Sequence, residues 1–117
     1  MNRRAELLAE LVRYQRPTEP LLRELKTLGW DWPQEQPLLI LTKEHLLSVM
    51  DRFLAGALSA AQLQDWAENL ECREDVAFDE NHTELLDGIF FRLATPFINE
   101  PLTPEVVGRL KHELLAG

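Results

Sequence analysis

The sequence predicts an all-α protein, a single-domain bundle of five to six helices. Its strongest support is that three segments start in the same way. Leu41-Thr42, Leu58-Ser59 and Leu102-Thr103 each set an apolar residue directly before a good N-cap, with Leu46, Leu63 or Val107 at the fourth helical position. That is the hydrophobic staple, in which residues flanking a cap pack together and fix the entry angle of the chain. A second support is size: 117 residues at 45% hydrophobic content fit one domain with a packed core, which excludes an acidic disordered tail. A third is the lack of strand partners, since Leu38–Leu41 is the lone strand-like run and an extended lead into the Leu41 staple accounts for it.

The elements follow in order. A first helix over residues 3–15 carries Leu7, Leu8, Leu11 and Val12 on one side. A second starts at Thr18, carries Leu21, Leu22, Leu25 and Leu28, and stops at Gly29, a C-cap glycine. The stretch from Trp30 to Pro37, bracketed by prolines and opened by Trp30 and Trp32, reads as a loop strapped over the core by its indoles. A third helix covers residues 43–55 and ends at Gly56. The fourth runs from Ala60 to at least Leu70, with Leu63, Trp66, Ala67 and Leu70 at buried-stripe spacing. Ser59 and Gln62 complete a capping box at its start. A fifth begins at Glu80 or His82 and is ended by Pro96; the sixth runs from Pro104, favoured at the first helical position, to Leu115. Residues 1–41 thus form a helical pair plus the Trp/Pro loop, and residues 42–115 the main bundle.

Charge is distributed unevenly. Residues 1–52 hold eight basic and eight acidic side chains, whereas residues 53–117 hold four and twelve, so the whole net −8 belongs to the second part. Between Glu68 and Asp87 lie eight carboxylates (Glu68, Glu71, Glu74, Asp75, Asp79, Glu80, Glu84, Asp87) against one Arg73. Such a patch repels phosphate backbones and anionic lipid and attracts cationic surfaces. The basic residues of the first two helices are interleaved with Glu6, Glu10, Glu19 and Glu24, a salt-bridged pattern and not a phosphate-binding stripe. Neither nucleic acid nor membrane is therefore an expected partner. The longest apolar run, Leu38–Leu41, is far below the ~20 residues of a membrane span. Glu6, Glu10 and Arg13 interrupt any signal-like segment, and a single Cys72 excludes an internal disulfide, which together favour the cytoplasm.

Catalytic signatures are missing. No glycine-rich phosphate loop, CxxC, HxxxH or HExxH occurs, and no cofactor is expected. Asp79-x-x-His82 is half of a bundle metal motif and reads as a solvated helix start. Cys72 lies among Glu71, Glu74 and Asp75, which disfavour a thiolate. The expected role is non-catalytic protein binding.

At about 100° per residue, Glu80, Glu84 and Asp87 fall on one side of the fifth helix, opposite Leu85, Leu86, Ile89, Phe90 and Leu93, and Phe91 lands within the acidic stripe. A fourth helix extended past Leu70 aligns Glu68, Glu71 and Asp75 in a second row. Carboxylates that steer and a ring that anchors make a recognition surface. The expected contacts are Glu68, Glu71, Asp75, Glu80, Glu84, Asp87 and Phe91. Three alternatives stand beside it: a solvated face that only confers solubility, an accessory or adaptor protein binding through the Trp30–Pro37 loop, and a small enzyme built around His82 or Cys72.

The segment Phe53-Leu54-Ala55-Gly56-Ala57-Leu58-Ser59-Ala60, followed by Trp66, resembles the small all-helical immunity proteins of bacterial toxin systems, of the colicin D immunity and contact-dependent inhibition types. The resemblance spans residues 42–115 and has no counterpart for the first forty. It implies an acidic immunity or antitoxin-type inhibitor that plugs the basic substrate cleft of a nuclease toxin domain as a mimic of the phosphate backbone. It assigns no role to an individual residue.

Overall fold

A computed structural model describes residues 3–28, 39–71, 73, 75–96 and 98–117. The described residues form six helices, α1 (Arg3–Val12), α2 (Thr18–Thr27), α3 (Lys43–Leu54), α4 (Ala60–Glu71), α5 (Thr83–Ala94) and α6 (Pro104–Ala116), with two short strands, β1 (Leu39–Leu41) and β2 (Val76–Phe78). The protein is a single all-α domain to which a two-stranded sheet is added.

All three stapled starts form, and each pair (Leu41 and Leu46, Leu58 and Leu63, Leu102 and Val107) is buried. At α4 the capping box is reciprocal: Gln62 N–H donates to Ser59 Oγ at 3.1 Å and Ser59 N–H to Gln62 Oε1 at 2.8 Å. At α6 Thr103 Oγ accepts from Val106 N–H at 3.2 Å. At α3 the reciprocal acceptor is His45, whose Nδ1 takes the Thr42 N–H at 3.1 Å. Burial, with Arg13 nearby, pushes the His45 pKa below its usual value, which keeps that nitrogen free to accept.

Two ends differ from the sequence reading. α1 stops at Val12, short of Gln15, because Tyr14 adopts a left-handed φ of 53°. Gln15 N–H then bonds to Glu10 C=O at 2.9 Å and Tyr14 N–H to Leu11 C=O at 3.1 Å, a Schellman closure on a residue that is not glycine. α3 closes in the same way on Gly56 (φ 85°), as expected. α2 ends at Thr27 with Leu28 as its cap; Gly29 and the Trp30–Pro37 loop lie outside the described residues.

The extended lead at Leu39–Leu41 does have a partner, which corrects the sequence reading. It pairs in parallel with β2, in register Leu39↔Val76, Ile40↔Ala77 and Leu41↔Phe78. α3 and α4 form the crossover between the two strands.

The core gathers on Trp66 of α4, which is fully buried and lies 5.1 Å from the Phe90 ring of α5; Phe78 of β2 lies 5.2 Å from the same ring. Trp66 Nε1–H donates to Leu11 C=O at 2.9 Å, a second bond to the carbonyl that also accepts Tyr14 N–H at the end of α1. α4 therefore packs on α5 and is tied to α1 by the indole bond, and this fixes the surface that α4 and α5 present outward.

Candidate functional site

α5 is two-sided. Leu86, Ile89, Phe90, Leu93 and Ala94 are buried, whereas Glu84, Asp87, Gly88 and Phe91 are exposed. Phe91 is 44% exposed, so the expected ring stands at the surface beside carboxylates one and two turns before it. The benzyl group is held there by helix geometry: burying Phe90 against Trp66 turns the next residue about 100° away.

Glu68 is exposed on α4, and Gln64 Nε2–H donates to its Oε1 at 2.9 Å. Glu71, the last residue of α4, is half-buried. Its carboxyl is raised above its usual pKa, first by burial and then by Asp87 and Glu68. Asp87 and Glu68 both act on Glu71 at the end of α4, and α4 and α5 pack against each other. Glu80 is exposed but belongs to the turn before α5, which begins at Thr83 and not at Glu80 or His82. Asp79 shapes that turn by accepting Asn81 N–H at 3.1 Å.

Asp75 does not join this surface. α4 ends at Glu71, and Asp75 sits in the turn entering β2, only 4% exposed. Arg73 grips it with two bonds, Nε to Oδ1 at 2.9 Å and Nη2 to Oδ2 at 2.8 Å, and Arg4 of α1 adds a third contact at 3.4 Å. Burial alone raises this carboxyl, but the two guanidiniums overcome that effect and hold it below its usual pKa. Asp75 is an internal tie between α1 and the sheet.

Elsewhere most of the acidic residues are neutralised within the chain. Glu10 and Glu24 bind Arg16, Glu24 and Glu6 bind Arg3, Asp51 binds Lys111, Glu100 binds Arg109, and Glu113 binds Arg92. Among the described residues, none of Glu68, Glu71, Glu80, Glu84 or Asp87 has an ion-pair partner. Much of the unpaired negative charge among the described residues therefore lies on α4, on α5 and in the turn between β2 and α5, with Phe91 exposed on the same helix as Glu84 and Asp87.

Gly88 escaped the sequence reading. It lies inside a helix with ordinary helical φ, where glycine costs about 1 kcal/mol relative to alanine. A Cβ there would meet nothing within 4 Å. The sequence signal was a glycine on the polar side of an otherwise periodic helix.

The remaining candidates lie elsewhere in the fold. A groove of about 570 Å³ is lined by Arg92, Ile98, Asn99, Glu100, Arg109 and Glu113, but both of its arginines are paired to its glutamates. Among the described residues no group of three or more His, Cys, Asp or Glu is placed to hold a metal, and no helix is long and apolar enough to cross a membrane. His82 stands 3.5 Å from Asp79 as the first residue before α5. Cys72 lies outside the described residues.

No family model and no solved structure matches the chain. A stretch of the Fanconi anemia group I protein of Gallus gallus is 34% identical to it over 88 residues, 74% of this chain. The chain spans 7% of the length of that protein.

Proposed function

We propose that the protein works by binding and not by catalysis: its acidic α4–α5 surface docks on a basic protein partner. In its most specific form the partner is a nuclease-like toxin domain, and the protein is an immunity or antitoxin-type inhibitor acting in the cytoplasm of the cell that makes the toxin. The observation that carries this reading is the contrast in pairing. Carboxylates on other elements are mostly tied to arginine or lysine, while Glu68, Glu71, Glu80, Glu84 and Asp87 are left without an ion pair among the described residues, and Phe91 is exposed on the same helix as Glu84 and Asp87.

Like charges held together disfavour the folded chain by a few tenths of a kcal/mol per pair, and a cationic partner relieves that repulsion. Steering by the patch accelerates encounter, while Phe91 supplies the desolvated contact. The immunity resemblance of residues 42–115 supplies the toxin identity in this reading; the charge pattern alone supplies only the sign of the partner.

The test is a stopped-flow measurement against the protein encoded immediately upstream, since immunity genes follow their toxins. The association rate constant should fall about tenfold or more between 20 and 150 mM salt. Phe91→Ala should weaken binding by about 2 kcal/mol with little change in stability. Salt-insensitive association, or a large loss of stability in Phe91→Ala, overturns the reading.

A further inference from the structure

We infer that the surface of α5 between Glu84 and Phe91 is a seat for an arginine side chain of the partner, with Gly88 as the position that admits it. This inference rests on the proposed docking of a basic protein and names the group that docks.

Four residues make the seat. Glu84, Asp87, Gly88 and Phe91 are all exposed on one side of α5. Phe91 follows Gly88 by three residues and Glu84 precedes it by four, so each lies about one turn, roughly 5.4 Å, from the glycine along the axis. Long helical side chains lean over the turn N-terminal to their own Cα, which aims the Phe91 ring toward the Asp87–Gly88 turn. The ring does not fill that space, because a Cβ placed on Gly88 meets no atom within 4 Å. The helix surface over Gly88 is open, with Phe91 one turn after it and Asp87 and Glu84 before it on the same side.

That combination suits a guanidinium and not an ammonium. Guanidinium is flat, weakly hydrated, stacks on aromatic faces and forks onto carboxylates, whereas ammonium is a compact, strongly hydrated point charge. Neither backbone conformation nor internal packing calls for glycine at residue 88, since its φ is ordinary and its Cβ position is open. Gly108 of α6 shares both properties but lies on a helix with no Phe, Tyr or Trp, so it serves as the control.

The probes are two helical peptides of equal length and charge, one with arginine at every basic position and one with lysine, titrated into the full 15N-labelled chain. The arginine peptide should bind about threefold to fivefold more tightly, with the largest shifts at Asp87, Gly88 and Phe91. Gly88→Ala and Phe91→Leu should each reduce that ratio to about one, and Gly108→Ala should leave it unchanged. Both alanine variants should melt at or above the parent temperature, showing that lost selectivity is not lost folding. Equal affinity for the two peptides, mapped to α5, refutes the arginine seat and leaves acidic docking standing. Absence of α5 shifts with either peptide refutes both.

Discussion

Asp75→Asn separates a structural carboxylate from the proposed recognition surface. The substitution keeps the shape and removes the charge at a site only 4% exposed, where Arg73 and Arg4 converge at 2.8 and 3.4 Å on one oxygen. Removing one partner of a buried pair costs about 3–5 kcal/mol, because the remaining charge is left uncompensated. Here both guanidiniums keep a path to water, at 13% and 21% side-chain exposure, so about 3 kcal/mol is expected at pH 7. For a chain of this size that lowers the melting temperature by roughly 12 °C. Urea unfolding followed by circular dichroism reads the change directly. The pH dependence carries the sign. Asp75 has a folded pKa below its usual 3.8, so its contribution is fully present above that value and fades as pH falls through the lower folded value. The gap between variant and parent should therefore close in strong acid. A loss under about 0.5 kcal/mol at pH 7, the size of an exposed ion pair, would refute the tie between α1 and the sheet.

Glu71→Gln should have the opposite sign. Burial, Asp87 and Glu68 raise the Glu71 pKa, so ionised Glu71 weakens the fold as pH rises through that value; the variant should exceed the parent by a few tenths of a kcal/mol at pH 7 and match it below about pH 4.5. Equal stability at both pH values would remove the action of Asp87 and Glu68 on Glu71. Trp66→Phe deletes the Nε1–H bond to Leu11 C=O and opens space beside Phe90, and should cost about 2 kcal/mol in urea melts, with loss of α1 amide protection in hydrogen exchange. Unchanged α1 protection would show that the indole does not hold α1 to α4.

Local physics was readable in advance, and long-range encounter was not. The starts of α3, α4 and α6 are written in contiguous residues, a staple and a cap each, and all three form where expected. Phe91 was readable for the same reason, since helical period alone sets its angle from Phe90. The sheet was not: Val76-Ala77-Phe78 is three residues long, sits among carboxylates, and finds its register with Leu39–Leu41 across α3 and α4. Asp75 was misplaced because charge density says nothing about an arginine arriving from 71 residues away. α1 ended early because Tyr14 takes the left-handed position usually left to glycine. Gly88 drew no notice because the open space over it is set by the packing of side chains and not by local sequence.

Chemical-shift mapping with the proposed basic partner tests the central claim most directly. With that partner added to the 15N-labelled chain, the amides perturbed most should be those of Glu68, Glu71, Glu84, Asp87, Gly88 and Phe91, while those around Arg92, Arg109 and Glu113 stay still. Perturbations centred on the Arg92–Glu113 groove, with residues 84–91 unmoved, would contradict it.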